Sequence, residues 1–458
     1  MDIRRWALPL GPLLALLCAF SLYATGHPLP LYVTAAVAIC CVIWWLFEPI
    51  PIPVTSLLPL AVFQLFGVLS PTAIGSAYGS PLILLLLGGF ILSRAMERSG
   101  AHRRLALFMT RLFGGDSSSG LLLGFMVSTA VLSMWVSNTA TTLMMLPVAM
   151  AVLASSRDPK LALPLMLGIA WSASIGGMGT PVGTPPNLVF MQVYSETTGQ
   201  TLGFSDWMAY GIPAVISMIL VAWLWLRRDL DYRGGFELPA VGKWTVLERR
   251  VLYVFALTVL LWVTRTEPFG GWRELLDLPA NDASVALLAV MAMFIIPDDK
   301  GKKLLDWQAA ESIPWGILLL FGGGVCLARA FGVSGLSDML AHYLNGLLSL
   351  PIIVAVAMIA LAVTFITETT SNTASTVLLM PVLAAAAVGS DIAPEVLMVP
   401  AVLSASCAFM MPVATAPNSI VMASGQLAAG DMAKQGFMLN ILGTLVITAV
   451  VWAVVTTG

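Results

Sequence analysis

The chain reads as long apolar runs separated by short polar ones. A helix that crosses a bilayer needs about 20 mostly apolar residues. By that measure spans are predicted near 7–25, 30–47, 54–69, 81–97, 161–195, 208–226, 250–264, 282–297, 314–332, 395–424 and 434–455. The runs 161–195 and 395–424 carry Gly and Pro interruptions and are expected to be broken helices. Two more runs, 119–154 and 351–388, are too long for one span, and each has a polar cluster near its middle. Both read as re-entrant hairpins that enter and leave on the same side. Such backbone is tolerated at membrane depth only where protein buries it or where it lines a wet cavity. The first run follows Met1-Asp2-Ile3-Arg4-Arg5 and reads as an ordinary first span rather than a signal peptide, because membrane segments continue throughout.

Composition narrows the class. Of 458 residues, 59% are hydrophobic and 10% charged, against roughly 25% charged in soluble domains. Mean hydropathy is +0.92. A soluble enzyme, a nucleic-acid binder and a disordered chain are all excluded, and the net charge of −2 implies no polybasic partner surface. The 39 glycines and 28 prolines suit membrane helices that break. Five cysteines without CxxC spacing and three scattered histidines give neither a disulfide framework nor a metal or proton-relay cluster. The expected fold is an all-α polytopic membrane protein of about eleven transmembrane helices plus two hairpins. With the N-terminus inside, all of the 22 Lys and Arg residues except Arg265, Arg273 and Arg329 fall on the inner side. Eleven spans then put the C-terminus outside. The stretch 99–113, with Arg103, Arg104 and Arg111 among Leu and Phe, reads as a basic amphipathic helix on the inner interface.

The chain also repeats itself. Gly88-Gly89 matches Gly322-Gly323, and SNTATTLMMLPV (137–148) matches SNTASTVLLMPV (371–382), both at the same offset. Ser172-Ala173-Ser174 recurs as Ser404-Ala405-Ser406. The loop Pro181-Val182-Gly183-Thr184-Pro185-Pro186-Asn187 recurs as Pro412-Val413-Ala414-Thr415-Ala416-Pro417-Asn418. The expected organisation is a first span (1–30), repeat 1 (31–230), a cytoplasmic linker with the first span of repeat 2 (231–264), and the rest of repeat 2 (265–458). An odd number of crossings between matching elements makes the repeats inverted. Inverted repeats with interrupted segments at matching positions mark secondary transporters, with the substrate site near the midplane.

The interruptions are built from Ser, Thr, Asn, Gly and Pro, without Lys, Arg, His or Cys. Hydroxyl and amide oxygens suit a hard cation such as Na⁺; their donors, with the positive ends of half-helices, suit an anion. A cation beside the anion offsets its charge in a low-dielectric pocket. The residues therefore read as cation-coupled anion uptake. Capping of the broken helices is the plainer role for the same side chains, and it is compatible with binding. An enzyme would need a nucleophile–base or metal constellation, which the interruptions lack. A channel would need a repeated filter ring.

The paired SNT motifs, the GTPPN-like loops and the repeat resemble the divalent anion–sodium symporter family, whose bacterial members carry dicarboxylates such as succinate, malate and fumarate. The resemblance implies a homodimer, a scaffold, and a transport domain of both hairpins and both broken helices that moves like an elevator. It implies a first sodium site at Ser133, Ser137, Asn138 and the backbone of Gly183. A second is implied at Thr367, Ser371, Asn372 and the backbone of Ala414. Substrate carboxylates would meet Ser137, Asn138 and Thr139 on one side and Ser371, Asn372 and Thr373 on the other, with Thr184 and Thr415 closing the site. Ala416 departs from the pattern where a match to Pro185 is expected, which leaves di- or tricarboxylate, sulfate and other divalent anions open. Exchange of dicarboxylates on the same fold is an alternative that the hydroxyls of Ser133 and Thr367 argue against, and the doubled SNT argues against an oxyanion efflux carrier. Glu368, with Met134 as its counterpart, is expected to be a solvated acid at the hairpin tip facing the outer cavity. Without an N-x-Ser/Thr sequon or a large external loop, a bacterial inner membrane is the expected location.

Overall fold

Serine and proline set where many of the helices begin. In the computed structural model, Ser70-Pro71 and Ser80-Pro81 each open a helix, the serine hydroxyl accepting the N–H three residues on. Proline at the first helical position loses nothing, since that N–H has no intrahelical partner. The structure describes residues 3–114, 117–234, 236, 238, 242–266, 270–344, 351–390 and 392–457. Residues 235, 237 and 239–241 of the expected linker lie outside the described residues.

The first part of the chain forms α1 (Ile3–Ala24), α2 (Leu29–Phe47), α3 (Ile52–Thr55), α4 (Leu58–Leu65), α5 (Pro71–Tyr78), α6 (Pro81–Ser99) and α7 (Ala101–Phe113). The span expected at 54–69 is thus two short helices. Pro59 has no N–H for the Thr55 carbonyl, so the ladder stops between them. Next come α8 (Ser118–Ser133), α9 (Asn138–Ser155), α10 (Ala162–Gly177), α11 (Pro185–Thr198) and α12 (Phe204–Leu226). A second series follows: α13 (Val246–Val263), α14 (Gly271–Leu275), α15 (Asp282–Ile295), α16 (Trp307–Glu311), α17 (Trp315–Ser334) and α18 (Leu336–Leu344). It ends with α19 (Ile352–Ile366), α20 (Asn372–Gly389), α21 (Pro394–Ser404), α22 (Ala416–Ala423) and α23 (Ala429–Thr457). Among the described residues eight helices are long and apolar enough to cross a membrane, and shorter apolar helices such as α8, α10, α19 and α21 lie beside them.

Two clusters of helices can be traced, and they touch each other, since α11 packs on α17 and α20 packs on α17 and α18. The hairpin pairs α8–α9 and α19–α20 pack on the broken pairs α10–α11 and α21–α22, with α12 and α23 alongside. The two halves interlock, since α9 touches α22 while α20 touches α11, and α10 also packs on α22. The remaining long helices form a frame in which α6 packs on α15, and α17 on α2 to α5.

Close backbone approach holds the broken helices. Gly211 of α12 lies against the Met178 and Gly179 carbonyls, and Gly436 of α23 lies against Phe409 and Met410. A Cβ at either glycine would sit inside van der Waals contact with a backbone carbonyl oxygen. Gly75 of α5 has open space where its Cβ would be. We expect Gly211→Ala and Gly436→Ala each to lower the thermal unfolding midpoint of the purified protein, at a cost of about 1–3 kcal/mol for overpacking. Gly75→Ala should leave it unchanged or raise it slightly. Equal midpoints for all three would contradict the close-approach role.

Candidate functional site

Each hairpin turns over on a serine that caps the second arm. Ser137 Oγ accepts the Ala140 N–H at 3.2 Å, and Ser371 Oγ accepts that of Ala374 at 3.5 Å. One turn earlier a hydroxyl reaches back across the loop. Ser133 Oγ lies 2.7 Å from Asn138 Oδ1 and 2.7 Å from the Ala173 carbonyl oxygen. In the second half Thr367 Oγ1 lies 2.6 Å from Asn372 Oδ1 and 2.9 Å from the Ala405 carbonyl oxygen. Ser133 and Thr367 are fully buried. A hydroxyl has one proton. Each nest therefore gathers three oxygens around a single proton, a surplus of lone pairs that favours a positive charge.

The breaks in the neighbouring helices are stapled in the same symmetric way. Asn187 Nδ2 donates to the Gly177 and Thr180 carbonyls at 2.9 and 2.7 Å. Asn418 Nδ2 donates to those of Ala408 and Met411, both at 3.0 Å. Both side chains are fully buried, and the free Oδ1 of each has no partner among the described residues. A broken helix leaves carbonyls without intrahelical donors, which a buried amide satisfies. Thr180 Oγ1 donates to the Met134 carbonyl, tying the first hairpin tip to the first break. Gly183 sits so close to the Gly177 and Met134 carbonyls that only hydrogen fits on its Cα. Gly177 in turn faces the Asn138 amide and Thr184, so Asn138, Gly177, Gly183 and Thr184 form one contact set.

A cavity of about 820 Å³ joins the two halves. Asn138, Thr139 and Thr184 line it from the first, and Ser371, Asn372, Thr373, Ala414 and Thr415 from the second. An adjoining cavity of about 460 Å³ takes Ser137 and Gly183 and shares Asn138, Thr139 and Thr184 with the first. Ser133 and Thr367 lie behind this surface. All four helices that start here, α9, α20, α11 and α22, have their N-cap residues, Ser137, Ser371, Thr184 and Thr415, on the cavity walls. Four positive helix ends therefore face one space. Proline occupies the first helical position of α11, while Ala416 occupies that of α22, where Thr415 Oγ1 accepts the Asn418 N–H at 3.3 Å.

Glu368 corrects one expectation. It is only 4% exposed rather than solvated. Its Oε1 accepts the N–H groups of Phe409 and Met410 at 2.8 and 2.9 Å and Asn440 Nδ2 at 2.8 Å, and its Oε2 accepts the Met411 N–H at 2.9 Å. The break after α21 leaves three consecutive N–H groups without carbonyls, and one carboxylate takes them all. An acid inside an otherwise uncharged apolar run was the available sequence signal. Sequence reasoning also passed over Arg4 on the larger cavity, and Arg94 with its ion-pair partner Glu97 on the smaller one. Asn187 and Asn418 stood in the quoted motifs without a role.

Comparison with known proteins places these observations. A citrate transporter family profile matches residues 42–398. The sodium-dependent dicarboxylate transporter SdcS of Staphylococcus aureus (strain NCTC 8325 / PS 47) is 38% identical over 97% of this chain and 90% of its own. Its counterpart in strain COL matches to the same extent. Among solved structures, the Alcanivorax borkumensis YdaH transporter superposes with a TM-score of 0.62 at 15% identity, covering 85% of this chain and 88% of its own. MtrF of Neisseria gonorrhoeae superposes with a TM-score of 0.57 at 14% identity, covering 85% and 83%. At such identities the structural likeness concerns the fold alone. The family and these relatives are transporters, not enzymes.

Glu368→Gln keeps the shape but turns an acceptor into an NH₂ that faces a backbone N–H. The expected result is a fall of several degrees in the unfolding midpoint, since an unmet buried group costs about 1–3 kcal/mol. An unchanged midpoint would remove Glu368 as the clamp of this break.

Proposed function

We propose that this chain, which belongs to the citrate transporter family of membrane carriers, is a secondary transporter that couples uptake of dicarboxylates to Na⁺. The observation that carries the reading is the pair of three-oxygen, one-proton nests. They stand behind a cavity into which both SNT arms and four helix N-termini project. The first nest with Ser137 and the Gly183 backbone would hold one Na⁺, and the second with Ser371 and the Ala414 backbone another. Hydroxyl and carbonyl oxygens are the ligands that a hard monovalent cation takes.

A dianion such as succinate has two carboxylates, and the cavity has two arms. In this reading one carboxylate takes donors from Ser137, Asn138 and Thr139, and the other from Ser371, Asn372 and Thr373. Thr184 and Thr415 complete the enclosure. Cations in the nests offset repulsion between the dianion and Glu368, which also lines the cavity. A two-ended anion then binds far better than a one-ended one of equal length.

The orientation of basic residues supports a cytoplasmic N-terminus in a bacterial inner membrane, with the C-terminus outside. Arg4 on the larger cavity and Arg94 on the smaller then mark an inward-open state. The two contact groups support an elevator, with the hairpins and broken helices moving against the frame. The homodimer rests on the resemblance to divalent anion–sodium symporters.

Uptake of labelled succinate into proteoliposomes tests the coupling. With an inward Na⁺ gradient, succinate should accumulate and butyrate should not. Ser133→Ala and Thr367→Ala should each raise the Na⁺ concentration for half-maximal uptake about tenfold, the equivalent of roughly 1.4 kcal/mol per lost ligand. Uptake indifferent to Na⁺, or both variants with wild-type Na⁺ dependence, would overturn the reading.

A further inference from the structure

The three basic residues that break the charge asymmetry lie just past the end of α13, on α14 and, far along the chain, on α17. Arg265, Arg273 and Arg329 nevertheless line a single cavity of about 630 Å³. It lies further toward the N-terminal end of α6 than the SNT side, the nearest lining residues, Leu85 here and Gly89 there, being one helical turn, about 6 Å, apart. Leu82 near the start of α6 lines this cavity, and Arg94 on the same helix lines the SNT side. Twelve residues of α-helix separate them by about 18 Å. Helix α11 likewise runs from the SNT arms at Pro185 to this cavity at Gln192 and Glu196.

Two of the arginines are neutralised locally. Arg265 Nε donates to Asp282 Oδ1 at 2.6 Å, and both side chains are nearly buried. Arg329 donates to Glu196 Oε1, the Ala73 carbonyl and Ser76 Oγ, each at 2.7 Å. Its buried Nε still has no acceptor among the described residues. Arg273 is exposed, and its guanidinium has no partner among the described residues. The N-terminal ends of α6 and α15, capped by Ser80 and Asn281, open on the same space. The residues that line the cavity thus sum to one net positive charge, carried by the exposed Arg273, with two positive helix ends beside it; Asp206, next to Arg265, stands outside the lining.

We propose that this cavity is an anion-collecting vestibule, a second and weaker site where a small dicarboxylate from solution docks before it reaches the SNT arms. The proposal rests on the transporter reading for its choice of ligand, and on the basic asymmetry for placing the cavity outside. Cavities with low-dielectric walls focus such fields and raise the local concentration of a counter-ion. Arg273 supplies the unpaired charge; Arg329 and Arg265, fixed by their acids, shape the wall.

The test uses full-length protein with Cys18→Ala and Thr201→Cys, the latter at an exposed position on the cavity wall. The remaining cysteines are buried. In low salt, from outside, an anionic methanethiosulfonate should modify the introduced thiol several-fold faster than a cationic one, after each rate is scaled to a free thiol. Arg273→Gln should erase that preference, and Arg273→Lys should restore it. Millimolar succinate should slow the reaction and butyrate should not. Protection by succinate should survive Asn138→Ala with Asn372→Ala, which separates this site from the central one. Uptake through Arg273→Gln should show a KM raised about threefold or more in low salt and normal in high salt. Equal rates for both reagents, or succinate protection that vanishes with the SNT variants, would overturn the vestibule. Protection by phosphatidylglycerol alone would make it a lipid-headgroup site and overturn the assignment to a soluble substrate. Because the labelling needs no transport, a carrier that proves indifferent to Na⁺ leaves this result readable.

Discussion

The structure depends on a single constraint: backbone groups freed by a helix break inside a membrane must find partners without water. Four such breaks meet here, at two hairpin tips and two broken helices. The chain answers each with short polar side chains rather than with charge, except at Glu368. Ser137 and Ser371 cap, Asn187 and Asn418 staple carbonyls, and Glu368 gathers three N–H groups. Satisfying the backbone places helix N-termini and spare oxygens around one space. In the proposed reading, the residues that keep the fold intact are also those that bind.

Symmetry and a charged breach of it divide the work. Ser133 with Asn138 and Ala173 repeats as Thr367 with Asn372 and Ala405. The glycines that admit the breaks, Gly211 and Gly436, also correspond. Glu368 has no equivalent, because Met134 stands in its place and Thr180 bonds the Met134 backbone instead. The second half therefore carries an acidic side chain beside its nest. Among the described residues no basic side chain pairs with it, so backbone dipoles and the Asn440 amide hold it. In the sodium-coupled reading proposed above, a carboxylate there would favour the cation at the second nest over that at the first.

Much of this was legible in the residues themselves. The SNT arms declared the hairpins because polar clusters inside apolar runs have few other uses, and the repeat showed which positions to pair. The hydroxyls at Ser133 and Thr367 came from the resemblance to the divalent anion–sodium symporters. Their other partners, the Ala173 and Ala405 carbonyls, are backbone groups and carry no mark in a sequence. Glu368 was misread because a hairpin tip suggests solvent, whereas the neighbouring break in α21–α22 supplies three donors that only the folded chain brings near. The span expected at 54–69 divides at Pro59, a local effect that hydropathy averaging hides. Arg265, Arg273 and Arg329 stood out as exceptions to a charge rule, yet nothing in their spacing put them in one cavity.

The central claim is that cations in the two nests supply the positive charge that the SNT arms lack. The most direct measurement is a calorimetric titration of the purified protein with succinate at low and high Na⁺, with choline holding ionic strength constant. Succinate should bind at least tenfold more tightly at high Na⁺. Equal affinity at both concentrations would contradict the claim.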